Sequence, residues 1–326
     1  MLTFRTEGLY CESGDIYIDP IRPVQTAIIT HGHADHARWG MAHYIATPET
    51  CEIMKKRIGE TISITPLPVY QPYQIGDVTI TFIPAGHILG SAQVLIDNGS
   101  ERALITGDFN TIPDPTVADF DTVSADLLVM ETTFALPIYQ WPSTEDVFND
   151  IHSFWASNAS DGYHTVLYAY SLGKAQRLLH HLDTSQGPIA VHAAVANMNK
   201  IYQSYDRLKS TFPTLTKALI SEWDSKGLIV APPATIGSSW LKKLGQYREA
   251  YVSGWMLGKG QSRRRNMRGF VLSDHADWNS LIRTVDLVSP KHVWTMHGYT
   301  DIFARYLNDI GVSATPLSKL QIERSE

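Results

Sequence analysis

THGHADH, residues 30–36, is the stretch that decides the fold of this chain. It continues an apolar run at residues 27–30 and carries four side chains that can bind a metal: His31, His33, Asp35 and His36. Three imidazoles and a carboxylate this close together would repel one another or lack partners inside a protein unless a cation lay between them. The stretch therefore predicts a metal site at the end of a strand.

The spacing within this stretch favours two metal ions. His31 and His33 alternate along an extended chain and so point to the same side. Asp35 and His36 come after the turn and can face a second ion. A zinc-protease helix would instead carry HExxH, with its histidines four residues apart. A histidine-rich surface loop is the alternative, but the position at a strand end favours the metal site.

The composition is that of a globular protein. The chain has 326 residues, of which 44% are hydrophobic, so it can form two domains or one large one and is neither disordered nor fibrous. Its two cysteines, Cys11 and Cys51, are too few for a disulfide framework and indicate a reducing compartment. No stretch has the length or composition of a signal peptide or membrane span. We therefore expect a cytoplasmic protein with no membrane partner.

Further candidate side chains follow strands later in the chain. Strands are expected at residues 16–18, 26–30, 76–83, 93–97, 102–106 and 126–130. We also expect a turn at Asp19-Pro20, a helix from about residue 47 to residue 58, and a hairpin at Asn98-Gly99. His87, Asp108 and Glu131 each come just after one of these strands. Sheet scaffolds build metal sites from such strand ends, so we expect these residues to share one rim with His31.

From about residue 136 the pattern changes to strands that alternate with helices, which predicts a mostly parallel sheet. Helices are expected at 143–158, 172–182, 194–208 and 239–244, and strands at 166–170, 189–192, 228–230 and 249–253. A strand at 270–272, a helix at 277–288 and a strand at 292–296 then bring His275 and His297 back to the first domain. The sequence therefore predicts a two-domain α/β protein in which the second domain is inserted into the first.

The ordered motifs resemble a known family. His31-x-His33-x-Asp35-His36, the lone His87 and then Asp108 look like the successive motifs of the metallo-β-lactamase fold. Glu131 in METTF, His275 in SDHAD and His297 in MHGY resemble the three extra motifs of its β-CASP nuclease branch. More narrowly, GLYCESGDIYIDP, PAGHILGSAQ, TFALPIYQWP and LSDHADW are similar to bacterial ligase-associated DNA exonucleases.

The resemblance covers almost the whole chain and implies a fold and its boundaries. It implies a metallo-β-lactamase αββα sandwich built from residues 1–135 and 262–326. An α/β domain of the β-CASP type, residues 136–261, is expected between the two segments.

The resemblance also implies two divalent ions and seven ligands: His31, His33 and His87 on one ion, Asp35, His36 and His297 on the other, and Asp108 bridging them. Two such ions, about 3.5 to 4 Å apart, can hold a hydroxide between them and neutralise charge on phosphate oxygens. The nucleophile would then be this metal-bound hydroxide. Zinc fits the imidazole-rich set, and the oxygen ligands also admit manganese.

Four residues are expected to take part in catalysis: Asp35, Asp108, Glu131 and His275. His275 is the candidate that gives a proton to the leaving oxygen, since it stands alone in a turn between a strand and a helix. Glu131 would orient His275 or a ligand histidine through a hydrogen bond. The alternatives are a helix-cap or core role for His275 and a surface position for Glu131.

Two segments are candidates for substrate binding. Ser171 and Lys174 follow a strand and open a helix, where backbone N–H groups and the lysine could bind a phosphate, although an ordinary helix start is the alternative. Arg263, Arg264 and Arg265 form a dense basic tract that could follow a nucleic-acid backbone, or could be a solvated loop. The net charge of −6 argues against general nucleic-acid coating but allows such a local stripe.

The function that the resemblance implies is metal-dependent hydrolysis of DNA from an end. The narrower resemblance implies a role in DNA repair with an ATP-dependent DNA ligase and a helicase. An RNA-processing ribonuclease is the main alternative, because Glu131 and His297 follow the pattern of the RNA-processing members. A small-molecule hydrolase would have no evident use for His275 or the arginines, and a non-enzymatic binding module would be expected to have lost ligands.

Overall fold

The computed structural model describes residues 1–223, 226–258 and 267–324. Contacts between Cα atoms divide the chain into two units, one of residues 1–140 and 275–326 and the other of residues 141–274. Helices and strands occur in both units, as expected for an α/β protein. Within the described ranges, no helix is both long enough and apolar enough to cross a membrane.

The first sheet of the first unit carries the histidine stretch. Its strands are β1 (Leu2–Arg5), β2 (Gly8–Cys11), β3 (Ile16–Ile18), β4 (Thr26–Ile28), β5 (His43–Ala46) and β6 (Ile64–Pro66). They lie in chain order, and β3 to β6 run parallel. Helix α1 (Pro48–Ile58) follows β5. Thr47 caps its N-terminus, where the Thr47 side chain accepts a hydrogen bond from the backbone N–H of Thr50, and Gly59 caps its C-terminus. This helix agrees with the sequence-based prediction.

The second sheet of this unit lies in the order β18-β17-β11-β10-β9-β8-β7. Its strands are β7 (Tyr73–Ile75), β8 (Val78–Pro84), β9 (Ala92–Asp97), β10 (Arg102–Ile105), β11 (Leu127–Thr132), β17 (His292–Gly298) and β18 (Ala314–Pro316). The predicted hairpin at Asn98-Gly99 joins the antiparallel strands β9 and β10. The end of β11 differs from the prediction, because this strand continues through Glu131, which pairs with Met296 of β17.

The two sheets pack face to face through alternating side chains. Ile28 of β4 and Ile45 of β5 point into the core between the sheets, where they meet Val94 and Val129 of the second sheet. The residues that alternate with them, such as Ala27 and Tyr44, face the other side of the first sheet. This period of two is the pattern that a sheet covered on both faces requires.

Helices cover the outer face of each sheet. On the first sheet, Cys51 and Met54 of α1 pack against Ala27 and its neighbours. On the second sheet lie α6 (Trp278–Val288) and α7 (Thr300–Asp309), which contribute apolar side chains such as Leu281 and Phe303. The layers therefore run helix, sheet, sheet, helix, and the predicted αββα sandwich is confirmed.

The second unit has one sheet, in the order β13-β14-β12-β15-β16, and its described strands are all parallel. The strands are β12 (His164–Tyr168), β13 (Ile189–Val191), β14 (Leu228–Ala231), β15 (Tyr247–Val252) and β16 (Arg268–Phe270). The helices are α2 (Thr144–Ser160), α3 (Lys174–His181), α4 (Ala193–Ser204) and α5 (Lys217–Ser221). The alternation of strands and helices thus predicted the type of sheet correctly.

Short 3₁₀ helices complete the described elements: Pro233–Thr235, Ser239–Leu244, Gly254–Leu257 and Leu317–Arg324. The segment 239–244 was expected to be an α-helix, but it is one of these tighter turns. The helix expected at 194–208 ends earlier, at Ser204, because the chain turns at Asp206 with a φ of +56°.

Gly107 allows two ligand-bearing segments to approach each other. Gly107 lies just before Asp108 and has a φ of +55°. A Cβ atom placed on it would lie 2.7 Å from both Cβ and Oγ1 of Thr30, the residue before His31. Such a separation is too short for any ordinary contact. A glycine is therefore required here for two reasons, the left-handed backbone and the lack of space.

We expect Gly107→Ala to lower the free energy of unfolding more than Gly99→Ala does. Gly99 also has a positive φ, of +82°, but a Cβ atom there would meet nothing within 4 Å. Both variants should lose about 1 kcal/mol to the left-handed backbone, and Gly107→Ala should lose about 1–3 kcal/mol more to crowding. Urea unfolding followed by tryptophan fluorescence measures the difference. Equal losses of unfolding free energy in the two variants would show that Thr30 can move away from the added Cβ atom at no cost.

Candidate metal centre

Four side chains from three strand ends converge in the first unit. The ligand atoms of His31, His33, His87 and Asp108 all lie within 4.8 Å of one another. Nδ1 of His33 is 3.2 Å from Nε2 of His31 and 3.1 Å from Nε2 of His87. The first two residues follow β4, whereas His87 follows β8 and Asp108 follows β10. The sandwich thus brings candidate ligands from both of its sheets to one place.

The two carboxylate oxygens of Asp108 face different histidines. Oδ2 lies 3.6 Å from Nε2 of His31 and 3.7 Å from Nε2 of His87. Oδ1 lies 3.5 Å from Nε2 of His36. A carboxylate oriented in this way can hold one cation with each oxygen.

The residues expected on the second ion are more widely spaced. Oδ2 of Asp35 is 3.9 Å from Nε2 of His36, and the ring centroids of His36 and His297 are 5.4 Å apart. His297 is exposed near the end of β17 and has a φ of +56°. All three side chains line one cavity, in a looser arrangement than the first four candidate ligands.

Asp19 is a site residue that sequence reasoning missed. Its Oδ2 lies 2.7 Å from Nδ1 of His36 and accepts the hydroxyl of Thr30 at 2.6 Å, while its Oδ1 accepts the backbone N–H of Thr30 at 2.9 Å. The sequence placed Asp19 in a turn before Pro20, without a chemical role. The available signal was its position at the end of β3, which pairs in parallel with β4. A carboxylate on Nδ1 orients the ring and directs Nε2 towards Asp108.

The electrostatics of the cluster fit a divalent cation. Burial and the neighbouring histidines hold the pKa of His31 well below its usual value, so this imidazole is neutral, as a metal ligand must be. Burial also disfavours the charged form of His36, but Asp108 and Asp19 outweigh it and raise the pKa of His36 to about 10. The carboxylate side of the cluster therefore attracts positive charge, while His31 offers a neutral nitrogen atom.

Glu131 and His275 form a second pair next to the cluster. Nδ1 of His275 lies 3.0 and 2.9 Å from the two carboxylate oxygens of Glu131, and 4.0 Å from Oδ2 of Asp108. Oε1 of Glu131 also accepts the backbone N–H of Phe109 at 2.8 Å. Burial would raise the pKa of Glu131, but His275 and these hydrogen bonds lower it, so the buried carboxylate stays ionised.

A cavity opens on the side of the cluster where His36 and His297 lie. Its volume is about 440 Å³, and Asp19 and Asp35 contribute to its wall. The rest of the lining is largely apolar, including Phe4, Leu9, Ile18 and Met296. A cavity of this size and polarity can receive the uncharged part of a substrate.

Two of the candidate substrate-binding residues, Ser171 and Lys174, belong to the second unit. Lys174 is buried in the second unit, where its Nζ forms an ion pair of 2.8 Å with Asp274 and lies 5.3 Å from the ring centre of Tyr170. The backbone oxygen of Ser171 accepts the side-chain amide of Gln176. Asp274 thus balances the charge of Lys174, and phosphate binding by either residue stays a prediction.

The basic tract of Arg263, Arg264 and Arg265 lies outside the described residues. Its expected contact with nucleic acid also stays a prediction.

Comparisons with known proteins agree with this fold. A family model described as "Beta-lactamase superfamily domain" matches residues 13–181. A protein of Opitutus terrae named "Probable DNA ligase" is 32% identical over 312 residues, which is 95% of this chain and 30% of that protein. An "RNase J-like protein" of Methanocaldococcus jannaschii is 23% identical over 228 residues, 61% of this chain and 54% of that protein.

A further relative is the "Cleavage and polyadenylation specificity factor subunit 3-I" of Arabidopsis thaliana, 25% identical over 60% of this chain and 35% of that protein. The chain therefore spans between 30% and 54% of the length of these three relatives. Among solved structures, a protein of unknown function from Enterococcus faecalis V583 matches with a TM-score of 0.61 and 14% identity, covering 89% of this chain and 78% of that one. At that identity the likeness shows the fold alone.

We expect Asp108→Ala to weaken the binding of divalent ions at least about tenfold, since its two oxygens face both groups of histidines. Isothermal titration with Zn²⁺ and Mn²⁺, together with the metal content of dialysed protein, measures the effect. His43→Ala is the matched control, because His43 bonds to Ser63 and Thr65 away from the cluster. Unchanged binding in Asp108→Ala would contradict a role for this carboxylate in the site.

Proposed function

The chain belongs to the metallo-β-lactamase superfamily, and on this basis we propose that it is a metal-dependent nuclease that hydrolyses DNA phosphodiester bonds from an end. The observation that carries the proposal is the group formed by His31, His33, His87 and Asp108, whose ligand atoms lie within 4.8 Å of one another. Relatives of the β-CASP nuclease branch support the reaction class.

We assign the residues of the cluster as ligands of two divalent ions: His31, His33 and His87 for one, Asp35, His36 and His297 for the other, and Asp108 for both. Such ions, when bound, activate water and neutralise charge on a phosphate. In support of the assignment, each oxygen of Asp108 faces a different group of histidines. Asp19 keeps His36 in the orientation that this role needs.

His275 is proposed to give a proton to the leaving oxygen. Because Glu131 takes the hydrogen bond of Nδ1, the other ring nitrogen, Nε2, can carry the transferred proton. The ionised carboxylate of Glu131 stabilises the protonated imidazole before the transfer. When the bond between phosphorus and the leaving oxygen breaks, the Nε2 proton moves to that oxygen, and the ring returns to its neutral form.

DNA is the substrate that we favour. The relative named "Probable DNA ligase" matches 95% of this chain, which supports a function close to DNA ligation. We therefore also propose a role in DNA repair, in association with an ATP-dependent DNA ligase and a helicase. RNA is the second candidate, supported by the relatives whose names refer to RNase J and to cleavage and polyadenylation.

We expect the metal-loaded protein to shorten end-labelled DNA progressively and to leave RNA of the same sequence largely intact. The test compares single- and double-stranded oligonucleotides of both kinds, labelled at either end, with Zn²⁺ or Mn²⁺ and after chelation by EDTA. Chelation and Asp108→Ala should each abolish cleavage. Cleavage of RNA alone would replace the DNA assignment with the second candidate, and no cleavage of either would overturn the proposal.

We expect His275→Ala to reduce kcat on DNA by about 10²- to 10⁴-fold, since the leaving oxygen then lacks a proton donor. Hydrolysis of bis(p-nitrophenyl) phosphate should fall much less, because p-nitrophenolate leaves without a proton. Glu131→Gln keeps a hydrogen-bonding group but loses the charge, so it should show a smaller loss with the same substrate dependence. His292→Ala, whose ring bonds to Ser313 and Thr315, is the control. An equal loss on both substrates would exclude proton donation by His275.

A further inference from the structure

An exposed tryptophan stands beside three arginines in the first unit. The side chain of Trp39 is 80% exposed, the largest fraction among the exposed large hydrophobic residues of the described ranges. It lines an open depression of about 540 Å³. The other lining residues include three arginines and two apolar neighbours: Arg22, Arg38, Arg57, Ile21 and Pro23. We call this set the Trp39 surface.

The Trp39 surface continues into the candidate metal centre. Ala34 and Ala37, within and next to the histidine stretch, also line the depression. Arg38 and Ile21 line both this depression and the cavity beside His36. A molecule bound on the Trp39 surface can therefore extend into that cavity.

Two of the arginines are anchored to the metal-binding loop. Nε of Arg38 donates to the backbone oxygen of Asp35 at 3.1 Å, and the guanidinium of Arg57 donates to the backbone oxygen of Gly32. A guanidinium has five N–H donors, so one such bond leaves others for a ligand. The whole chain has a net charge of −6, whereas the three arginines make the lining of this depression positively charged.

We propose that the Trp39 surface binds single-stranded nucleic acid and directs it to the metal centre, an inference that rests on the proposed function. An exposed indole offers a face on which an unpaired base stacks, and guanidinium groups bind the phosphates of the same strand. Bases inside a duplex are stacked on one another and cannot reach the indole, so the substrate at this surface is a single strand or a frayed end. Tryptophan and arginine also anchor protein partners, but the continuity with the metal centre favours the substrate.

The experiment measures binding separately from cleavage. Metal-loaded protein is titrated into a fluorescent, hydrolysis-resistant phosphorothioate oligothymidylate, and the dissociation constant is read from anisotropy. Trp39→Ala should weaken binding about five- to hundredfold, whereas Trp39→Phe, which keeps an aromatic face, should retain most of the affinity. Tyr73→Ala removes another exposed aromatic side chain and should bind like the wild type.

The salt dependence tests the arginines. Arg22→Ala should reduce the slope of log affinity against log salt concentration by about 0.7, as expected when one phosphate contact to a single strand is lost. Arg305→Ala removes a guanidinium outside the depression, with a side chain 85% exposed, and should leave the slope unchanged. Equal slopes for Arg22→Ala and the wild type would contradict a phosphate contact there.

The outcomes separate this inference from the proposed function. A wild-type protein that binds the strand through Trp39 but cleaves no nucleic acid would overturn the nuclease proposal and support the surface. Equal affinity of Trp39→Ala and the wild type, with DNA still cleaved, would overturn the inference, and a protein partner would then be the better occupant. A wild type that does not bind the strand would overturn it as well.

Discussion

The crowding of imidazole nitrogens around one carboxylate is the constraint on which the rest of the structure depends. Nδ1 of His33 lies 3.2 Å from Nε2 of His31 and 3.1 Å from Nε2 of His87, beside Asp108, an arrangement that a cation would stabilise. The surrounding structure serves to hold this arrangement. Gly107 lets two ligand segments approach each other, and Asp19 fixes the orientation of His36.

The sandwich explains why ligands so far apart in the sequence can meet. Close packing between the sheets sets the distance between the end of β4 in one sheet and the ends of β8 and β10 in the other. Helices on the outer faces exclude water from the remaining apolar surface. The site therefore rests on rigid strand ends, which hold side chains more precisely than mobile loops do.

The neighbourhood of the cluster fits the substrate proposed above, which has phosphates and bases. In the proposed reaction, Glu131 and His275 would provide the proton that a leaving alkoxide needs, and an apolar cavity lies beside the histidines. Beyond it, Trp39 and its arginines offer the two kinds of contact that a single strand makes. These features suit a nuclease of the metallo-β-lactamase superfamily better than an enzyme for a small neutral molecule.

The sequence by itself determined the residue types of the candidate site, the hairpin at Asn98-Gly99 and the helix that follows Thr47, because these depend on local spacing and on the periods of strands and helices. The αββα class came from the resemblance of its ordered motifs to a known family. For Glu131 the sequence left two partners open, His275 or a ligand histidine, and only the tertiary structure decided for His275. Glu131 and His275 are 144 residues apart in the chain, and Lys174 and Asp274 are 100 residues apart. Such contacts arise from strand pairing and core packing between distant segments, and no local pattern in the sequence reports them.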